Sequence, residues 1–286
     1  MSVGFIGLGV MGRSMAGHIN AKLGGVVVWN RTAGRADSLA AEGAIRAASP
    51  GEVAGKCNVI CICVADTPDV EAVVFGPNGI MTGIRPGTLI VDFSTISPAA
   101  TLVFAARAAE RGAAWVDAPL TGGDVGARNA TLTIMAGGDP NDIARAKAVF
   151  EAVGKKHIHL GPVGSGQRAK LCNQAAVCGT IASMGEAMIL ARESGLDVAQ
   201  VLDVIGSGAA GSWTLANYGP RILIGDFDPG FSVRLMAKDL RLVKEAIAEI
   251  KGDFSTVERM SPIFEQMVAD GEGDLGIHAA VRRLGW

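Results

Sequence analysis

No sign of charge dominates this sequence. Its 286 residues carry 26 Lys and Arg against 28 Asp and Glu, a formal net charge of -2. That balance excludes the basic footprint of a protein built to hold nucleic acid or an anionic membrane surface. Uninterrupted apolar runs are short, none reaching the length of a membrane span, so no span is predicted. The opening residues MSVGFIGLG lack the basic region and apolar core of a secretory leader. Cysteines are few: Cys57, Cys61, Cys63, Cys172 and Cys178. Their odd number and the missing leader point to reduced thiols in a cytoplasmic protein. They show no metal spacing, and the histidines, His18, His157, His159 and His278, are scattered, so no metal site is predicted. His157 and His159 alternate on a predicted strand as structural residues, and Cys172 reads as a packing residue.

The chain is rich in apolar residues, at 49%, and in glycine, with 39. The apolar share is ample for a buried core. The glycines follow no period, which assigns them to turns and close backbone approaches.

Up to about residue 160, short apolar runs alternate with helical patterns. Strands are predicted at 2–7, 25–30, 58–64, 88–93, 114–118, 132–136 and 156–160. Helices are predicted at 10–22, 34–42, 68–75, 98–111 and 140–153. Ser97-Pro98 and Asp139-Pro140 are N-caps followed by proline at the first helical position. Near-continuous apolar strands between helices imply a parallel sheet covered on both faces, an α/β doubly wound fold, with ligands outside the carboxyl ends of the strands. Beyond the turn-rich GPVGSG the strands stop. Helices are predicted at 165–193, 197–206, 214–223, 232–250, 255–269 and 276–284, the fifth opened by a Ser255-x-x-Glu258 capping box. The predicted division is therefore an α/β domain, 1–162, and an all-α domain, 163–286.

The first strand runs into Gly7-Leu8-Gly9-Val10-Met11-Gly12, with the spacing G-x-G-x-x-G between strand and helix. In that context the motif is a dinucleotide site: a tight turn, a close approach to pyrophosphate, and close helix packing at the three glycines. The helix start offers free N–H groups to phosphate. The second strand ends in Asn30-Arg31-Thr32, where an NAD site usually ends in a carboxylate. A carboxylate repels a 2′-phosphate and an arginine pairs with it, at roughly 1.5–3 kcal/mol per charge-assisted bond. The cofactor expected is NADP(H), ahead of NAD(H). Val64, Ala65 and Thr95 leave later strand ends and are placed beside it.

Four segments, GFIGLGVMG, DAPLTGGDVGA, GQRAKLCNQ and FSVRLMAKDL, resemble the β-hydroxyacid dehydrogenase family across nearly the whole chain. The resemblance implies an N-terminal Rossmann-type domain and an all-helical domain joined by a long helix. It implies that Thr121, Gly122 and Gly123 hold a substrate carboxylate, where the family more often begins with serine; glycine N–H groups in a concave turn suit that task. It makes Lys170 the general acid/base, donating a proton to the aldehyde oxygen on reduction and recovering it on oxidation. Asn173 and Gln174 share a helix face with Lys170 and would orient the substrate; some members have asparagine at the second position. Cys172 falls roughly 200° round the helix from Lys170. Phe231 would wall the pocket, Lys238 lie over the nicotinamide, and Asp239 close the site. Trp213 and Tyr218, within 206–231, are placed where they select the far side of the substrate or pack between helices.

The activity implied is NADP-dependent interconversion of a short hydroxy acid and its semialdehyde, in a homodimer or homotetramer with no nucleic-acid or membrane partner. An imine reductase usually has Asp or Tyr where Lys170 stands, and a non-catalytic dinucleotide-binding module would be expected to lose Lys170 or the TGG turn.

Overall fold

The computed structural model describes residues 1–248 and 250–286. The chain forms two compact units, Met1–Lys170 and Leu171–Trp286.

Unit 1 is built on six parallel strands: β1 (Val3–Ile6), β2 (Val27–Trp29), β3 (Ile45–Arg46), β4 (Val59–Ile62), β5 (Leu89–Asp92) and β6 (Ala114–Asp117). Their order is β3-β2-β1-β4-β5-β6, so the winding reverses between β1 and β4. Successive side chains of a strand face opposite sides of a sheet, and both sides here are apolar. Val59, Cys61, Leu89 and Val91 enter one core with Met15, Ile19 and Phe150. Ile60, Ile62 and Ile90 enter the other with Val53, Val70, Val74 and Phe104. Helices α1 (Val10–Leu23), α2 (Asp37–Ala41), α3 (Pro50–Lys56), α4 (Thr67–Phe75), α5 (Pro98–Ala109), α6 (Gly123–Arg128) and α7 (Pro140–Val153) complete the unit, with the start of a long helix, α8 (Ser165–Glu193). This is the doubly wound arrangement expected.

The strand register aligns the carboxyl edge. Ile6 lies opposite both Trp29 and Ile62, Ile62 opposite Asp92, and Asp92 opposite Asp117. Every loop leaving these strands therefore starts from one level row, which concentrates functional backbone there.

Three readings change. The strands predicted at 132–136 and 156–160 do not extend the parallel sheet. They are β8 (Leu132–Ala136) and β9 (Gly154–His159) of a separate sheet, in which β7 (Leu120–Thr121) runs antiparallel to β8. Helix α3 was missed although Ser49, accepting from Glu52 N–H, and Pro50 give the same start signal as Ser97-Pro98. Ser255 is not a capping residue: it is the first residue of α12 (Ser255–Ala269), and its N–H donates to the Asp253 carboxylate at 2.8 Å.

Unit 2 is helical: the remainder of α8, then α9 (Val198–Gly206), α10 (Trp213–Leu223), α11 (Val233–Ile247), α12, a 3-10 turn at Ile277–Ala280, and α13 (Val281–Leu284). The helix predicted over 232–250 is α11, and Glu249 lies outside the described residues. Ile181, Met184 and Met188 of α8, Met236, Leu240 and Val243 of α11, and Met260, Phe264 and Met267 of α12 form the core. Their spacings of three and four are those of helix faces turned inward. Averaged over 18 residues, α8 is apolar and long enough to cross a membrane, and 44% of that window is buried inside the protein. Cys172 is exposed, contrary to its reading as a packing residue, because the angle that takes it off the Lys170 face turns it to solvent.

His278 is fully buried in unit 2. Its ring stacks on Tyr218 at 4.5 Å and lies 5.6 Å from Phe227, and Nε2 meets the Asp226 carbonyl at 2.8 Å. That contact makes Nε2 the donor and leaves Nδ1 unprotonated; a Cβ on Gly276 would lie 2.7 Å from Nδ1, so the nitrogen abuts backbone. Burial holds the imidazole pKa below its usual value, nearby Arg221 adds to this, and Asp226 opposes both. The unfolded chain therefore takes up this proton first, below about pH 6.5, while the folded chain resists it. The contribution of His278 to stability is whole above that pH and declines below it. Thermal melting of the wild type should lose stability as the pH falls below about 6.5, and His278→Asn should flatten that part of the profile.

Candidate active site

The glycine loop leaves β1 at the switch point. Gly7 has φ of +96°, and a Cβ there would lie 2.2 Å from the Cys63 carbonyl oxygen. A Cβ on Gly12 would lie 2.0 Å from the Gly7 oxygen. The protein's own packing explains both glycines. Gly9 is different: its φ of -70° and ψ of -166° suit any residue, and a Cβ would meet no atom within 4 Å. The space above Gly9 is the space a bound pyrophosphate needs, at the N-terminus of α1. The loop thus fits a dinucleotide by a feature that internal packing does not require.

The loop is braced from β2. Asn30 Oδ1 accepts from Leu8 N–H at 2.8 Å, and Asn30 Nδ2 donates to the Thr32 carbonyl at 2.9 Å. Arg31 projects from the same strand end, its side chain 85% exposed, and pairs with Asp69 in the first turn of α4 at 3.2 Å. Val10, opening α1, and Ala65 are exposed, while Met11 is half-buried. Val64 N–H donates to Ser94 Oγ at 3.0 Å, tying the end of β4 to that of β5. Thr95 follows, half-buried.

Thr121 ends β7, and Gly122 and Gly123 turn into α6 with φ of +121° and +62°, angles that favour glycine. Lys170 is the last residue of unit 1 and is 8% exposed.

Sequence reasoning missed two residues of unit 1. Asp117 is fully buried; its Oδ1 accepts from Gly164 N–H at 2.7 Å and its Oδ2 from Gln167 N–H at 2.8 Å. Gln167, also fully buried, accepts from Ile96 N–H at 3.1 Å and donates to the Ser94 carbonyl at 2.8 Å. Both stand inside the segments DAPLTGG and GQRAKLCNQ, but these partners are 47 to 73 residues away in sequence. Local pattern carries no such signal.

In unit 2 the structure joins four of the predicted residues in one chain of contacts. Asn173 Nδ2 donates to Gln174 Oε1 at 2.8 Å, and Gln174 Nε2 donates to the Asp239 carboxylate. Lys238 Nζ lies 2.6 Å from Asp239 Oδ1, with side chains only 12% and 3% exposed. Phe231 is half-buried against the same core. Tyr218 packs on His278 while Trp213 is exposed.

Comparison with known proteins finds relatives for both parts of the chain. Residues 2–161 match the family described as the NAD binding domain of 6-phosphogluconate dehydrogenase, and residues 164–284 the NAD-binding domain of NADP-dependent 3-hydroxyisobutyrate dehydrogenase. The 2-hydroxy-3-oxopropionate reductase of Escherichia coli is 37% identical over 99% of this chain and 97% of its own. The chain belongs to the β-hydroxyacid dehydrogenase family. The Mycobacterium tuberculosis 3-hydroxyisobutyrate dehydrogenase solved with L-serine superposes with a TM-score of 0.90, at 30% identity, covering 100% of this chain and 99% of that one. A protein named Psf3, solved with NADP+ and 2-OPP, gives a TM-score of 0.91 at 25% identity over 99% of this chain and 100% of that one. As a family member the chain is an oxidoreductase with NAD(P)-binding domains.

The glycine loop gives a paired test. Gly12→Ala should lower the melting temperature, because its Cβ is driven into the Gly7 carbonyl. Gly9→Ala should melt like wild type, yet bind NADPH and NADH at least about tenfold more weakly in a fluorescence titration.

Proposed function

We propose that this protein reduces a short semialdehyde bearing a carboxylate to its hydroxy acid with NADPH, with Lys170 as the general acid, and catalyses the reverse oxidation. The observation that carries this reading is Lys170 itself. Lysine is among the residues least often buried, yet this one is 8% exposed, three residues beyond the locked Gln167. The match to a family described as NADP-dependent, and the NADP+ bound by the similar Psf3, support the choice of cofactor.

Bound at the glycine loop, the cofactor supplies or accepts the hydride. The chain's own residues do the rest. Backbone N–H groups at the start of α1 meet the pyrophosphate, and Arg31 and Thr32 take the 2′-phosphate. The Thr121-Gly122-Gly123 turn fixes the substrate carboxylate. Lys170 Nζ gives its proton to the carbonyl oxygen as that oxygen gains charge, and takes it back in oxidation. Asn173 orients the substrate oxygen. Gln174 serves it indirectly, because it fixes Asn173 on one side and Asp239 on the other.

Lys170→Ala should lower kcat by at least about a hundredfold and leave NADPH binding within twofold. Stopped assays on a panel of small semialdehydes and glyoxylate, run with both cofactors, measure this; retained turnover would remove the acid–base role. Arg31→Asp should move the ratio of kcat/KM values from NADPH toward NADH by about tenfold or more. A wild type that uses the two cofactors equally would overturn the 2′-phosphate assignment.

A further inference from the structure

We infer that Gln167 is the positioning residue for Lys170: its side-chain amide fixes the helix that carries the lysine to the turn that carries Thr95. This inference rests on the acid–base reading of Lys170.

The two backbone groups that Gln167 binds, the Ser94 carbonyl and the Ile96 N–H, flank Thr95 on either side. The side chain therefore pairs with the turn much as a neighbouring strand would, one donor and one acceptor across from their complements. The main chain of the same residue is held independently, by Asp117 at the end of β6. One helical residue is thus gripped by the ends of two adjacent strands, β5 through its side chain and β6 through its backbone.

No slack remains in the residue before it. A Cβ on Gly166 would lie 2.4 Å from the Met135 oxygen and 2.7 Å from the Asp117 oxygen, so the helix start rests directly on strand backbone. Lys170 follows Gln167 by three residues, which places the two side chains about 60° apart around the helix and about one turn apart along it. The helix face that Gln167 presses against the Thr95 turn is the face that presents the lysine. A residue that merely filled this volume could be a leucine. Glutamine is costly to bury and is worth its burial only where both ends of the amide are matched. Here both are matched, by groups at the strand edge from which the cofactor loop also springs.

Two variants separate positioning from bulk. Gln167→Leu keeps the approximate volume and loses both bonds. Gln167→Glu keeps the shape. Its ionised carboxylate accepts from Ile96 N–H but repels the Ser94 carbonyl, and on protonation its O–H restores the missing donor. With NADPH and the fastest aldehyde of the panel, Gln167→Leu should lose about ten- to a hundredfold in kcat at every pH, with NADPH Kd within twofold of wild type. Gln167→Glu should be similarly impaired at pH 8, and its kcat relative to wild type should rise severalfold as the pH is lowered toward 6. Melting curves and circular dichroism, taken in parallel, report the folded fraction. The inference is overturned if both variants turn over within twofold of wild type. It is also overturned if the Gln167→Glu loss simply tracks the unfolded fraction with no recovery at low pH. If Gln167→Leu does not fold, the pH dependence of the isosteric variant decides alone. Lys170→Ala, assayed alongside, separates the two readings. An active Lys170→Ala removes both, whereas an inactive one beside normal Gln167 variants removes only the positioning role.

Discussion

A buried carboxylate organises the carboxyl edge of unit 1. Asp117 has no exposed surface, and burial alone pushes its pKa above the ordinary aspartate value. Backbone N–H groups of Gly164, Gln167 and Gly166, with its own, pull the other way. Hydrogen bonds to a charged group contribute about 1.5–3 kcal/mol each, so several reduce the desolvation cost without cancelling it, and the net shift stays upward. The arrangement is reciprocal. The first N–H groups of a helix have no intrahelical partners, and a buried anion is what completes them best. The main chain of Asp117 also pairs with Gly137 in both directions, at 3.0 and 2.8 Å, tying β6 to the end of β8. One residue therefore joins the large sheet, the small sheet and the start of α8. An apolar replacement would leave the Gly164 and Gln167 N–H groups without their acceptor, while the main-chain pairing with Gly137 would remain.

What the sequence disclosed follows from how local each signal is. Cores on both faces of the large sheet came from the apolar runs, α5 and α7 from their caps and α1 from its helical pattern after the glycine motif, because these signals lie within a few residues. The glycine loop was legible for the same reason. Two-residue strands such as β3 and β7 have no period to read. β8 and β9 look like any other apolar strands, since the pattern of a strand does not say which neighbour it pairs with. Ser255 fitted a capping motif, but the helix starts one residue early: the Phe254 carbonyl takes the Glu258 N–H that a Ser255 cap would accept, and Asp253 takes the N–H of Ser255 itself. The contacts of Asp117, Gln167, Ser94 and Asn30 join residues 22 to 73 apart, and only the fold supplies them.

Unit 2 shows how one family departure is absorbed. Glutamine at 174 is one methylene longer than asparagine. With Asn173 on its carbonyl and Asp239 on its amide, it links α8 to α11 through buried polar groups. Lys238 balances the charge of Asp239 in place. A buried ion pair of this kind contributes little net stability, because desolvation cancels most of the attraction. Its consequence is orientation: removing any member leaves a buried charge or amide without its complement.

The two halves of the dinucleotide loop obey different physics. On the proposed reading, the backbone N–H groups at the start of α1 meet a pyrophosphate common to both nicotinamide dinucleotides. Any discrimination between them on the reading given above falls to Arg31, whose side chain is 85% exposed and already paired with Asp69. Exposed pairs are worth about 0–1 kcal/mol, so little energy holds the guanidinium to Asp69 when a dianionic phosphate competes. Charges in such a setting are screened over a Debye length of about 8 Å at physiological salt. A preference built on Arg31 is therefore moderate and weakens as salt rises.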